Sequence, residues 1–255
     1  MDSYPKALWL GTDRGFKQFD APLLRYLYNC VAIARWDYSQ DWDEGSSLDV
    51  ALVLLHDYLK QCDRPLHILG HGTGGLLGLL YARQHPERVK SLTLLGVGAN
   101  PAVDWQAHYY ALRNLLPCNR RMILAQMARN LFGEQSYRAT RAIVEILEKD
   151  LFNSLSPHSL YQRASIPPGG VKVPLLVCGS ADDVIVDRNA LNEWRAWMKG
   201  GDVLWTCPRG HHFFHYFQPG EVGRQIVRFW NSLSPARTEE HIPAVRSISD
   251  RSDRY

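Results

Sequence analysis

The residues with the most chemical character in this chain are small ones. Leu66-His67-Ile68-Leu69 is an apolar run that meets Gly70-His71-Gly72-Thr73-Gly74-Gly75, and an apolar helical pattern follows from Leu76. Glycines between a strand and a helix do one of two things: they let a backbone approach a phosphate, or they let two elements pack too closely for side chains. Gly70-x-Gly72-x-x-Gly75 fits the spacing of a dinucleotide fingerprint, after a strand and at the opening of a helix. Against that chemistry, no acidic residue ends the next apolar run near Leu95, and the phosphate-binding lysine of a P-loop is missing. Cys30, Cys62, Cys118, Cys178 and Cys207 form no CxxC pair and no Cys/His metal spacing, so no metal and no cofactor is expected. Trp105, His108, Tyr109 and Tyr110 form an aromatic group that could line an apolar pocket or form the core of its own segment.

The elements that must position these residues alternate. Ala7–Leu10, Val31–Ala34, Leu66–Leu69 and Ser91–Leu95 read as buried strands. Between them lie a helix near Pro22 with Asp20 as its cap, and one started by Ser46 or Ser47 with Leu48, Leu52, Leu55 and Leu59 on one face. A third runs from Gly74 to about Gln84. Short connections between alternating strands and helices imply a parallel sheet of the α/β class with helices on both faces. Ligands of such sheets sit at the carboxyl ends of the strands, where the turns after Leu10 and Leu69 fall.

From residue 100 the pattern changes. Two amphipathic helices are predicted, Asn119–Phe132 and Tyr137–Leu155, with no strand between them. The segment carries nine Lys or Arg against five acids between residues 100 and 172, a solvated face or one suited to an acidic partner or an anionic membrane surface. Ser165-Ile166-Pro167-Pro168-Gly169-Gly170 leads out of it. Strands resume at Val173–Cys178 and Val203–Trp205, with a helix capped by Asp187 between them and a last helix from about Gly220 to Leu233. The division expected is a core in two parts, 1–98 and 172–233, a helical cap over 99–171, and a disordered tail over 234–255.

This order of parts resembles the α/β-hydrolase family from about Lys6 to Leu233. The small-x-nucleophile-x-small-small pattern of its nucleophile elbow matches Gly70 to Gly75, and Tyr81-Ala82-Arg83-Gln84-His85-Pro86-Glu87-Arg88-Val89 looks like the helix and strand that follow. The resemblance implies an α/β-hydrolase fold with a mainly parallel sheet of about six strands, because the chain starts at what is usually the third strand. It puts Gly72 where Ser, Cys or Asp is usual. It implies Asp182, three residues after Gly179, as the acid, with Asp183 as the neighbour, and His212 as the histidine, with His211 as the alternative from the Gly-His spacing. The backbone N–H groups of Thr73 and Thr12 would form the oxyanion hole, although Leu10-Gly11 stands where the family usually has His-Gly.

Glycine adopts the strained conformation of that position at little steric cost, so this substitution keeps the fold and deletes a hydroxyl. Three readings follow. The first is a retired site that binds a small apolar molecule or a partner protein, the former through Trp105, His108 and Tyr109. The second is an enzyme that uses His212 and Asp182 on water. The third is a serine esterase whose nucleophile has been replaced. A net charge of +3 on 255 residues gives no argument for nucleic acid. No apolar run is long enough for a transmembrane segment. The start lacks the basic residues and apolar core of a signal peptide, so a cytoplasmic location is expected.

Overall fold

The computed structural model describes residues 5–39, 47–101, 103–157 and 166–233. The tail expected to be disordered, 234–255, lies outside them. Six strands, β1 (Ala7–Gly11), β2 (Ile33–Asp37), β3 (Leu66–His71), β4 (Val89–Leu95), β5 (Leu175–Ser180) and β6 (Val203–Cys207), form one sheet in the order β2-β1-β3-β4-β5-β6. Every neighbouring pair is parallel. The expected parallel sheet of about six strands is observed.

Strand alternation sorts the core into two layers. Leu8, Leu10, Ile68, Leu92, Leu94, Leu175 and Val177 face one side, where α2 (Leu48–Lys60) and α3 (Gly72–Gln84) pack. Ala7, Trp9, Leu69, Leu95, Leu176 and Cys178 face the other, covered by α1 (Lys17–Tyr28) and, late in the chain, the helix Pro219–Ser232. Burial on both faces is what makes these strands read as continuous apolar runs. Ser47 caps α2 by accepting from the Val50 N–H.

Asp20 does not cap α1, which starts three residues earlier. It lies in the first turn with its carboxylate turned into the protein, where it accepts from Trp9 Nε1 at 3.2 Å and pairs with Arg35 at 3.0 Å. A carboxylate buried to this degree has to be paired, and the inward turn supplies both partners.

Between β4 and β5 stand three helices, not two: α4 (Trp105–Leu115), α5 (Arg120–Phe132) and α6 (Tyr137–Asn153). Asp104 caps α4 through the Ala107 N–H at 2.9 Å. The buried side of α4 is Trp105, Gln106 and Tyr109, and the glutamine breaks the apolar period by which helices are recognised. After β5 come the short α7 (Arg188–Asn192), capped by Asp187 through Asn189 and Ala190 N–H, then β6, α8 (Phe214–Phe217) and α9 (Pro219–Ser232).

The sharpest local constraint is the turn from β3 into α3. A Cβ on Gly70 would lie 2.6 Å from the Gly74 carbonyl carbon, one on Gly75 would lie 2.8 Å from the Gly70 oxygen, and one on Gly74 would overlap the Leu10 oxygen. At the tip, Gly72 has φ +51° and open space around its Cβ position. The two kinds of glycine should therefore respond differently. Gly70→Ala is expected to cost about 3 kcal/mol or more from backbone overlap, and Gly72→Ala only about 1 kcal/mol from conformational strain. Urea unfolding midpoints of the two variants measure the difference.

Candidate functional site

The turn after β1, the β3–α3 turn, the loop after β4, the start of α4 and the loop after β6 converge on one narrow cleft at the carboxyl end of the sheet, with a cavity volume of about 30 Å³. Gly72, Thr73 and His212 lie on its wall with Asp13, Trp105 and Phe213. Its lining is mostly apolar, with titratable groups at a few points.

His212 is almost fully buried, and its Nδ1–H donates to Asp183 Oδ2 at 2.9 Å. The expected partner Asp182 is thus replaced by its neighbour. The reason lies in the turn after β5, where the two side chains point in different directions. Asp182 Oδ1 accepts from Ser180 Oγ at 2.6 Å and from the His211 N–H at 2.9 Å, and its Oδ2 accepts from the Gly210 N–H at 3.3 Å. Partial burial works against the charge of Asp182, but these hydrogen bonds hold its pKa below the ordinary carboxylate range. Asp182 therefore clamps the Gly210–His211 backbone, where His211 is held at φ +53°. Asp183 points inward, its Oδ1 taking the N–H groups of Ile185 and Val186 and its Oδ2 taking His212. One aspartate shapes the loop and the other orients the imidazole. With Nδ1 carrying the proton toward Asp183, Nε2 is the basic nitrogen. The alternative His211 is half-exposed and directed to the backbone oxygen of Asp182.

His71 supports the loop from below. Its Nε2–H donates to the His212 carbonyl at 3.0 Å. Burial, with His215 and His212 close by, pushes its pKa well below the usual range, so it serves as a neutral donor. Its ring lies 4.7 Å from that of His212 and 4.5 Å from that of His215. His215 in turn pairs with Asp20 at 3.2 Å. Sequence reasoning missed this second buried histidine–carboxylate pair, because neither residue sits in a motif.

The remaining expected residues divide. Thr73 is buried in the first turn of α3, on the cleft. Thr12 is buried beside a smaller cavity of about 10 Å³ under the β1 turn, shared with Asp13 and His71, and its hydroxyl donates to Asp13 Oδ2 at 3.2 Å. Trp105 reaches the cleft. Tyr109, expected beside it, is instead buried in the core of the three-helix segment, one turn further along α4, and His108 does not line the cleft.

Asp13 is a cleft residue that sequence reasoning passed over. Burial and the nearby Asp150 raise its pKa well above the usual range. Asp150, on α6, is pushed up to about 7 by burial, opposed by a hydrogen bond from Ser154. Two carboxyls from distant parts of the chain thus lie close together, Asp13 on the cleft wall and Asp150 buried on α6. Nothing in either local sequence announces the pairing.

The profile of the Alpha/beta hydrolase family matches residues 4–225. The chain is 45% identical over 233 residues to the uncharacterized protein alr2406 of Nostoc sp., covering 91% of this chain and 93% of that one. It is 48% identical over 226 residues to the uncharacterized protein sll0249 of Synechocystis sp., covering 89% and 90%. Among solved structures it resembles naproxen esterase from Bacillus subtilis, with a TM-score of 0.67, 19% identity, and 91% and 85% of the two chains covered. At that identity the likeness is one of fold.

The raised pKa of Asp150 is also a statement about stability. The folded chain keeps a proton that the unfolded chain releases between about pH 4 and 7. Stability should therefore fall as pH rises through that window, by on the order of a few kcal/mol. In Asp150→Asn the urea midpoint should lose most of this slope and exceed that of the natural chain at about pH 8, with Asp13 responsible for the slope that remains.

Proposed function

The chain belongs to the alpha/beta hydrolase family, and from that premise we propose that Gly72 stands where a nucleophile would stand. In this reading the protein binds a small, largely apolar molecule in the cleft and lacks conventional serine-hydrolase turnover. The observation that carries the reading is the tip of the β3–α3 turn: φ is +51° at Gly72, a Cβ there would meet no atom within 4 Å, and the same cleft wall bears His212 on its aspartate. Such a turn holds a nucleophile up to a substrate. Here it presents hydrogen.

Several features support a small ligand over a protein partner in this cleft. Phe16, Leu76, Val97 and Trp105 supply apolar contact along the cleft wall. The N–H of Thr73, at the start of α3, is available to an oxygen of the ligand, as an oxyanion-hole donor would be. Thr12 is the expected second donor. All five cysteines are free, which agrees with a protein working in a reducing compartment.

A second reading rests on the His212–Asp183 hydrogen bond. An imidazole with its Nδ1 proton held and Nε2 basic can take a proton from water or from a substrate without any nucleophile. The water or carbon acid would then be activated in place, and Asp183 would stabilise the imidazolium.

The two readings separate on p-nitrophenyl esters of short and medium chain length. The natural chain should turn over at background rate, since loss of a triad nucleophile costs on the order of a million-fold. Gly72→Ser should gain turnover. That gain should vanish with His212→Ala and fall steeply with Asp183→Asn, yet survive a substitution of Asp182 that leaves the loop folded. Natural-chain hydrolysis that depends on His212 would favour the second reading. A folded, inert Gly72→Ser would remove the first.

A further inference from the structure

We propose that the corner joining α4 to α5 is a docking surface for an anionic lipid bilayer. The surface is separate from the chemistry of the cleft and does not depend on which reading of it holds.

The sequence from residue 105 to 133 carries Arg113, Arg120, Arg121 and Arg129 and not a single acid. The structure gathers part of this charge where the chain protrudes, since all ten residues from Arg113 to Met122 are exposed. Apolar side chains stand out among the cations: Leu115 is 77% exposed, and Leu116 and Met122 are exposed as well. Isolated exposed leucines are common, but neighbouring ones ringed by cations call for a partner. The patch continues across a groove of about 500 Å³ between α5 and α6, whose walls include Arg121, Met122, Arg141 and Tyr137, the last 85% exposed.

Two acids on α6 neutralise part of the patch. Glu145 and Glu148 on α6 face Arg141 at 3.5 Å and Arg120 at 3.7 Å. Arg113 and Arg121 make no ion pair among the described residues, and Glu134 lies beyond the end of α5. What remains is a projecting apolar tip, Leu115-Leu116-Pro117, with unpaired guanidinium groups on both flanks and a tyrosine nearby.

A bilayer fits this arrangement better than a folded acidic protein does. A protruding tip needs a yielding apolar medium to enter, and dispersed arginines need a diffuse negative field in preference to matched carboxylates. Tyrosine suits the headgroup level. The position also gives docking a consequence. α4 runs from Trp105 on the cleft wall to Leu115 at the tip, a distance of about 16 Å. A chain docked by this corner would hold its cleft close to the lipid surface, where an apolar molecule dissolved in the bilayer is concentrated.

The test is co-sedimentation of the full chain with vesicles of phosphatidylcholine alone and of phosphatidylcholine with phosphatidylglycerol. Binding is expected to the second kind only and should be lost at high salt. Each arginine near such a surface contributes about five-fold in partitioning, so Arg113→Gln/Arg121→Gln should weaken binding about 25-fold. Leu115→Ser/Leu116→Ser should weaken it about ten-fold or more. All four residues are exposed, and far-UV circular dichroism checks that the variants keep their fold. Failure to bind phosphatidylglycerol vesicles would overturn the proposal. So would variants that bind as well as the natural chain, which would assign binding to the arginine-bearing segment after residue 233 or to another face. Equal capture by soluble polyglutamate would point instead to an acidic protein and would also overturn it.

Discussion

Where β3 ends, the chain turns back within three residues, and the first turn of α3 comes against the backbone of β3 and of β1. At Gly70, Gly74 and Gly75 a single added carbon would strike main-chain atoms of a neighbouring element. Because backbone atoms cannot rotate away, this contact sets the angle at which α3 leaves the sheet, and with it the depth of the cleft above. The loop after β6 is hung on the same point, since His71, the last residue of β3, donates to the carbonyl of His212. Close packing at the turn therefore fixes two walls of the cleft together.

The loop bearing His212 shows how two adjacent aspartates divide one task. Asp182 spends its hydrogen-bonding capacity on backbone N–H groups at Gly210 and His211 and so determines the path of the chain. Asp183, buried and with three partners, determines the tautomer and orientation of the imidazole. With Nδ1 held against Asp183, Nε2 is the ring nitrogen left to face the cleft. The arrangement shares its cleft with Gly72, a residue with no side chain. Its stability does not require catalysis, because each hydrogen bond also closes a loop that the core needs closed.

Much of this was legible in the sequence. The six strands, their burial on both faces and the glycine-rich turn could be read from apolar runs and from the clustering of Gly70, Gly72, Gly74 and Gly75, because steric exclusion writes itself into residue type. His211 and His212 adjoin in the sequence, and the fold buries the second while leaving the first half-exposed. The choice between Asp182 and Asp183 could not be made correctly, since spacing counts residues while the hydrogen bond depends on which way each side chain leaves a turn. α4 escaped notice because Gln106 interrupts its apolar face. Asp13 and Asp150 meet only through tertiary packing of α6 on the β1 turn, and His215 meets Asp20 across almost two hundred residues. No local pattern encodes such contacts.

The central claim is that a side chain placed at position 72 would face the His212 imidazole, and a fluorophosphonate probe reads that most directly. Such probes form a covalent bond only with a hydroxyl activated by its surroundings. Mass spectrometry after exposure should find the natural chain unmodified and Gly72→Ser carrying one phosphonyl group on residue 72, with labelling abolished by His212→Ala. Labelling of the natural chain at another hydroxyl in the cleft, or a folded Gly72→Ser that stays unlabelled, would contradict the account.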